Sequence, residues 1–196
     1  MVDIDKIKKI RELTGISVSE CRKALETTNG DIEKAKEILR KWGKDFVGKR
    51  AGRETGQGII DTYLHPNKKV GVMLELRCES DFVARSDDFQ KLAHELCLQI
   101  AAMQPRFIKN EDIPRDLLKK EREIYKEQLK DSKKPPKIID QITEGKIKKF
   151  VQSITLMSQP WIRDESKTIA DLLSEFISKL GENILIKKFI RFEINS

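Results

Sequence analysis

The most regular pattern in the chain is an alternating run of apolar and polar residues that gives way to apolar residues at helical spacing. Every second residue from Val70 to Cys78 is apolar, which predicts a strand with one face on a core. From Phe89 to about Met103 the apolar positions recur every three or four residues, which predicts a helix. We therefore expect a corner around Asp81, where a rigid scaffold can present side chains to a partner.

Two interpretations of that corner are open from the spacing alone. In the first, Phe82 and Val83 complete the core and Asp81 is a solvated turn residue, because most apolar residues at the ends of elements are packed. In the second, Asp81 and Phe82 project from the corner and contact another molecule.

Three short helices are predicted over residues 3–42. Ser17 with Glu20 has the spacing of a capping box for the second helix. Asp31 is placed to cap the third helix, whose inward-facing residues run to Trp42. Three helices in about 40 residues enclose little core, which favours a binding module over a domain that encloses an active site.

Residues 44–57 differ in composition from the segments on either side, because glycines are interspersed with cations. This composition predicts a linker, and its charge makes it a basic one. The alternative is that the cations bind phosphate or an acidic helix. These cations are Lys44, Lys49, Arg50 and Arg53.

A second domain is predicted over residues 58–196. Alternation begins at Gly58, and turn residues at 65–68 join it to the next strand as an antiparallel hairpin. Alternation returns over residues 184–194, which predicts a third strand. Helical patterns occupy most of the chain between the hairpin and this strand. The expected fold class is α+β, with a helix-rich core domain around a small three-stranded antiparallel sheet.

The charge of the chain points weakly to acidic partners. A net charge of +7 favours acidic molecules, nucleic acid among them, but the 39 basic and 32 acidic residues are intermixed as on solvated helix faces. Six lysines fall within residues 133–149, yet Phe150 is the one aromatic beside them that could stack on a base. We therefore do not expect direct binding of nucleic acid.

The cysteines and the apolar runs indicate the compartment. Cys21, Cys78 and Cys97 are odd in number, lack C-x-x-C spacing and fall on apolar faces, which predicts buried reduced thiols. No apolar run reaches the roughly 20 residues of a membrane span, and the first residues lack the apolar region of a signal peptide. We expect a cytoplasmic protein that does not enter a membrane.

Candidate catalytic groups are sparse in the sequence. His65 lies beside a proline in the predicted turn, and His94 lies on a predicted helix without a partnering nucleophile. General acid–base or triad chemistry therefore has no support. The sequence shows no cluster of metal ligands and no glycine-rich phosphate loop. We expect a protein without enzymatic chemistry, cofactor or metal.

The corner carries a resemblance to a known family. Residues 78–85, Cys-Glu-Ser-Asp-Phe-Val-Ala-Arg, resemble the Cys-x-Thr-Asp-Phe-Val-Ala signature of the elongation factor Ts family. Ser80 stands where the family usually has threonine, a change that keeps the hydroxyl. Residues 3–42 are similar to the N-terminal module of the family, which has the fold of a ubiquitin-associated domain. They depart from it at residues 16–18, where the family has a glycine and methionines.

Further segments match the same family in the same order. They are residues 13–15, 21–25, 98–105, 121–124, 144–150, 159–161 and 188–193. The resemblance thus covers nearly the whole chain. It implies residues 1–43 as the ubiquitin-associated-like module, 44–57 as the basic linker and 58–196 as the α+β core. It also implies the short form of the family, in which two protomers pair, so that we expect a homodimer.

The resemblance implies a guanine-nucleotide exchange factor for the GTPase elongation factor Tu. It places Ser80, Asp81, Phe82 and Val83 near the magnesium site of that partner. Phe82 is expected to insert between helices of the GTPase, and Asp81 to disturb the coordination shell of the ion. Residues 1–43 are expected to pack on the nucleotide-binding domain.

The sequence leaves two other functions open beside nucleotide exchange. A ubiquitin-associated-type adaptor would rest on residues 3–42 and would leave residues 58–196 unexplained. A nucleic-acid-binding protein would rest on the charge and would bind RNA with a steep dependence on salt, which the exchange hypothesis does not predict.

Overall fold

The structure, a computed structural model, describes residues 3–50, 52–130, 132 and 135–194. It divides into two compact units. The first comprises the described residues of Met1–Leu98 and Asp171–Ser196, and the second comprises Gln99–Ala170. The domain boundaries that the sequence predicts at residues 43 and 57 rest on composition and resemblance, not on packing, and they remain predictions.

The N-terminal part of the first unit is formed by three helices, as the sequence predicts. They are α1 (Ile4–Thr14), α2 (Val18–Thr27) and α3 (Ile32–Arg50). Asp31 accepts a hydrogen bond from the Lys34 amide at 3.1 Å, which confirms it as a cap and lowers the pKa of its carboxyl. The helices enclose a small core of fully buried side chains. These are Ile10, Cys21, Ala24, Leu25, Ala35 and Leu39.

The third helix is longer than predicted, because it continues through residues 44–50 of the expected linker. Nη2 of Arg50 lies 2.8 Å from Oε1 of Glu20, and both side chains are almost entirely removed from water. Ending the helix near Trp42 would leave the buried Glu20 carboxylate without this cation, at a considerable cost in free energy. Ser17 Oγ donates to the other oxygen of Glu20, and the predicted capping box is absent, since the Ser17 side chain makes no cap bond.

The three-stranded sheet confirms the predicted fold class. Strands β1 (Gln57–Leu64), β2 (Val70–Cys78) and β5 (Leu185–Glu193) pair antiparallel in the order β1-β2-β5. Two further strands, β3 (Pro160–Trp161) and β4 (Asp164–Thr168), form a separate ribbon in the second unit that the sequence did not predict. The molecule is thus α+β with a small antiparallel sheet.

One face of the three-stranded sheet is covered by helix α5 (Asp87–Met103). Nδ1 of His94 on this helix lies 3.9 Å from Oδ2 of Asp61 on β1, and the ring of Tyr63 meets the His94 ring edge-on. The sheet and the helix contribute buried apolar side chains to this core. They include Val72, Leu74, Leu76, Ile186, Phe89, Leu92 and Leu96.

The opposite face of the sheet is open and carries a group of exposed apolar side chains. The strand register places every second residue of each strand on this face. Its exposed apolar side chains are Ile60, Leu64, Met73, Ile190 and Phe192, with Ile194 just beyond the end of β5.

The second unit is helical apart from its β-ribbon. Helices α6 (Arg115–Gln128) and α7 (Pro136–Ile154) pair through ion pairs such as Arg122 with Glu144 at 2.9 Å. Fully buried Gln159 donates to the carbonyls of Met103 and Ser153, which ties the ends of two helices together. Helix α8 (Ile169–Leu180), of which residues 171–180 belong to the first unit, leads into β5.

The cations singled out in the sequence are partly within the described structure. Lys133 and Lys134, and the side chains of Lys44 and Lys49, lie outside the described residues. Lys146 lies over the Tyr125 ring at 5.2 Å. Across the part of the chain that is described, no helix combines the length and apolar composition needed to cross a bilayer.

Candidate functional site

The corner expected around Asp81, between β2 and α5, holds one turn of helix. This turn, α4 (Asp81–Ala84), begins after Ser80, whose backbone is extended and whose Oγ accepts from the Val83 amide at 3.3 Å. Such a serine satisfies an amide that the first turn of a helix leaves unpaired. Because a four-residue helix hardly exceeds its own nucleus, neighbouring groups must stabilise it.

The side chains of α4 point in opposite directions. Val83 is 7% exposed and belongs to the core, whereas Phe82 is 83% exposed. The interpretation of Phe82 as a core residue is therefore wrong, and that of Val83 is correct. An exposed phenylalanine on a backbone fixed from both sides is an apolar group available for contact with another molecule.

Asp81 lies beside Phe82 and also faces solvent. Its Oδ2 lies 3.2 Å from Nη2 of Arg85, and both side chains are mostly exposed. Ion pairs on the surface contribute at most about 1 kcal/mol, so that this pair can open when a partner approaches. Asp81 and Phe82 together present a carboxylate and an aromatic ring from one helical turn.

Glu182 holds the corner from the turn between α8 and β5, and the sequence did not reveal it. Oε2 of Glu182 accepts from the amides of Glu79 and Ser80, at 3.1 and 3.0 Å, and Oε1 accepts from Ser80 Oγ at 2.5 Å. One carboxylate thus binds three donors of the corner. A single local signal was available, namely an acidic residue directly after Gly181, since glycine often ends a helix.

Glu79 and Asn183 add a hydrogen bond in which the corner supplies the acceptor and the α8–β5 turn supplies the donor. The amide of Asn183 donates to Oε1 of Glu79 at 2.6 Å, and Nδ2 of Asn183 donates to the Arg53 carbonyl at 2.9 Å. The guanidinium of Arg53 lies 3.5 Å from the Glu79 carboxylate. The corner, the α8–β5 turn and the segment after α3 are therefore joined in one hydrogen-bonded cluster.

Cys78 closes the cluster on its inner side. Its Sγ donates to the Ser80 carbonyl at 3.1 Å. Burial, together with the negative charge of Glu182, raises the pKa of this thiol to about 11. A thiol that stays protonated is a poor nucleophile and acts here as a hydrogen-bond donor. All three cysteines are buried and free, as the sequence predicts.

The geometry of the corner suits contact with a macromolecule. Within the described residues, no group of three or more histidine, cysteine, aspartate or glutamate side chains is placed to hold a metal ion. Neither histidine is part of the corner: His65 pairs with the Tyr63 hydroxyl at 2.9 Å, and His94 faces Asp61. The four predicted site residues are contiguous, with Ser80 and Val83 turned inward and Asp81 and Phe82 turned outward.

Comparison with known proteins gives a consistent result over the whole chain. A family model described as Elongation factor TS matches residues 5–196. A protein of Thermosipho melanesiensis named Elongation factor Ts is 49% identical over 194 residues, which are 99% of each chain. Proteins with the same name from Thermotoga neapolitana and Fervidobacterium nodosum are 51% and 48% identical. These two matches cover 98% of this chain and 97% and 98% of the relatives. The chain therefore belongs to the elongation factor Ts family, a family of translation elongation factors.

Proposed function

We propose that this protein binds elongation factor Tu in its GDP-bound form and promotes release of GDP, so that GTP can bind. The observation that carries the proposal is the exposed Phe82 beside Asp81, on a corner fixed by partly buried hydrogen bonds. Release follows when the corner enters the partner and disturbs its magnesium and phosphate site.

The thermodynamic requirement on an exchange factor is a difference in affinity. A GTPase holds GDP through amides of its phosphate loop and through a magnesium ion. A protein that binds the nucleotide-free form more tightly than the GDP form weakens GDP binding by the same factor. The corner must therefore make its contacts only after the groups around the magnesium ion have moved.

Phe82 can supply much of that difference. Its ring is exposed in the free protein, and burying a phenylalanine side chain contributes about 1.5–3 kcal/mol. If the ring is buried only in the nucleotide-free complex, this energy changes GDP affinity by about 10- to 100-fold. Insertion between helices of the partner would bury it and displace groups that support the ion.

Asp81 acts on the same site through its charge. The carboxylate is 63% exposed and forms a surface ion pair with Arg85. An anion brought next to a magnesium ion competes with the oxygen ligands that hold it. Exchange by this route makes and breaks no covalent bond in either protein, so that no enzymatic group or cofactor is needed.

The N-terminal helices would provide affinity away from the nucleotide. Leu13 and Val18 are exposed on either side of the turn at Gly15, which connects α1 with α2. Exposed apolar residues around one turn form a small surface for another protein. Contact here would hold the partner while the corner lowers its affinity for GDP. The β5 region would contribute a further contact.

We also propose that the protein is a homodimer, in which the open sheet face of one protomer packs on that of a second. Six apolar side chains are exposed on or next to this face, and Phe192 is 71% exposed. A contiguous apolar face of this kind is typical of an interface. A second copy of the chain fits this face because both protomers expose the same apolar side chains there. Two sheets also pack well face to face.

The proposed function places the protein in the cytoplasm, where it meets elongation factor Tu. The test is release of a fluorescent GDP analogue from elongation factor Tu, measured with this protein at catalytic concentration. Faster release, with each molecule acting on many GTPases, supports the proposal. Unchanged release from a cognate GTPase contradicts it.

A further inference from the structure

We propose that Glu182 is the positioning residue of the corner and that its carboxylate sets the direction in which Phe82 is presented. The inference rests on the proposed exchange function and names a residue that lies 100 positions after Phe82 in the chain. Glu182 does not reach the partner in this mechanism. It acts through Ser80.

The Glu182 carboxylate binds the corner with both oxygens. Oε2 accepts two adjacent amides, of Glu79 and Ser80, and Oε1 accepts the Ser80 hydroxyl. Hydrogen bonds to an ionised acceptor are shorter and stronger than those between neutral groups. Three of them on one carboxylate fix both the position of the backbone before α4 and the rotamer of Ser80.

The Ser80 hydroxyl relays this constraint into α4. A hydroxyl has one proton to donate, and here it is donated to Glu182. The lone pairs of the same oxygen are then left to accept the Val83 amide at 3.3 Å. The Val83 amide donates to the Ser80 hydroxyl, which donates to the Glu182 carboxylate, so that each hydrogen bond polarises the next. Val83 is the residue directly after Phe82.

Glu182 is itself held in place. Gly181 has φ +77° and closes α8 with a bond from its amide to the Ile177 carbonyl, which turns the chain toward the corner. The next residue, Asn183, is anchored by its amide to Glu79 and by its side chain to the Arg53 carbonyl. The carboxylate is therefore a fixed support for α4.

Phe82 needs such a support because its own side chain contributes little to fixing its direction. Its side chain is exposed, and the helix that carries it is one turn long. A displacement of about 1 Å at a group that must enter a packed site can cost about 100-fold in rate. Loss of Glu182 should therefore lower the exchange rate at saturation more than the affinity for the GTPase.

The experiment compares variants in the GDP-release assay with elongation factor Tu over a range of exchange-factor concentrations. Glu182→Gln keeps the shape and one acceptor oxygen but cannot accept the hydroxyl and both amides in the same way. Ser80→Ala removes the hydroxyl, and Ser80→Thr keeps it. Glu165→Gln makes the same change of charge at an exposed residue of β4 and is the control.

We expect Glu182→Gln and Ser80→Ala each to lower the maximal rate about 10-fold, which corresponds to one charge-assisted hydrogen bond. The concentration for half-maximal exchange should stay unchanged. The double variant should be hardly slower than either single variant, because both remove the same bond. Ser80→Thr should recover most of the rate that Ser80→Ala loses, because it keeps the hydroxyl, and Glu165→Gln should match the wild type.

Amide exchange with deuterium gives a readout that does not depend on the GTPase. The amides of Glu79 and Ser80 should lose protection in Glu182→Ala, while those of β2 keep theirs. Unchanged amide protection in Glu182→Ala overturns the inference and leaves the nucleotide-exchange function standing. GDP release at the wild-type rate with Glu182→Gln and Glu182→Ala does the same. Failure of the wild type to accelerate GDP release overturns the exchange function instead, and the amide protection then decides the positioning of the corner.

Discussion

Phe82 and Val83 are adjacent in the chain, yet the Phe82 side chain is 83% exposed and that of Val83 is 7% exposed. One helical turn explains the contrast, since successive side chains of a helix point about 100° apart. The same turn therefore packs into the core with one residue and projects an aromatic ring with the previous one. The buried and the exposed side chain are thus joined by a single peptide bond.

Substitutions at these two positions should affect stability very differently. Val83→Ala removes buried methyl groups and should lower the free energy of unfolding by about 1–3 kcal/mol. Phe82→Ala should change it by less than about 0.5 kcal/mol, because the ring is in water in the folded protein. Urea unfolding of both variants measures this. Equal losses at the two positions would mean that Phe82 is packed in solution.

The elements that the sequence predicted well are those whose signal is local. β2 spans Val70–Cys78, as its alternation predicts, and β5 lies where the last alternating run lies. Asp31 caps α3 through an amide three residues ahead. The predicted site residues from Ser80 to Val83 come from a short sequence motif, and they form one turn of helix with its cap. In each of these cases the pattern and the structure that it specifies involve neighbouring residues.

The features that the sequence did not reveal depend on contacts between distant residues. The extension of α3 accompanies the ion pair of Arg50 with Glu20, thirty residues away. The role of Glu182 depends on its contacts with Glu79 and Ser80, more than one hundred residues earlier. The glycines and cations of residues 44–57 predict a linker, because no local pattern shows that Arg50 pairs with Glu20. Such residues become visible only when the fold is known.

Magnesium should control the effect of Asp81. Asp81→Asn keeps the size of the side chain and removes its charge, so that GDP release stimulated by the variant should be several-fold slower in the presence of magnesium. With the ion removed by a chelator, the variant and the wild type should release GDP at the same rate. The measurement is GDP release at a series of magnesium concentrations. A defect that persists without magnesium would indicate that Asp81 acts by fixing α4.

The open sheet face should determine the oligomeric state. Phe192→Glu places a charge where the proposed dimer buries a ring and should weaken self-association by about 100-fold or more. Sedimentation equilibrium of the wild type and the variant measures the change. Ile124→Glu, at an exposed apolar residue of α6, is the control and should remain dimeric. A wild-type protein that is monomeric at every concentration would contradict the proposed pairing.

The buried thiol of Cys97 should contribute to loss of stability in alkali. Burial, and then the charge of Asp61, raises its pKa from 9.0 to about 12, so that the folded protein keeps a proton that the unfolded chain releases. Stability from the protonated thiol is complete below pH 9.0 and is lost as the pH rises through the window up to about 12. The free energy of unfolding of Cys97→Ala should therefore fall less steeply in this window. Urea unfolding over the alkaline range tests this, and parallel curves would show that the thiol does not contribute.

The measurement that tests the central claim most directly is GDP release from elongation factor Tu stimulated by Phe82→Ala. The variant should fold and bind the GDP-bound GTPase as the wild type does, and its maximal rate should fall by about 10- to 100-fold, the contribution of one buried phenylalanine. Ile124→Ala removes an exposed apolar side chain elsewhere and should behave as the wild type. A Phe82→Ala variant that stimulates release at the wild-type rate would contradict the proposed role of the exposed ring.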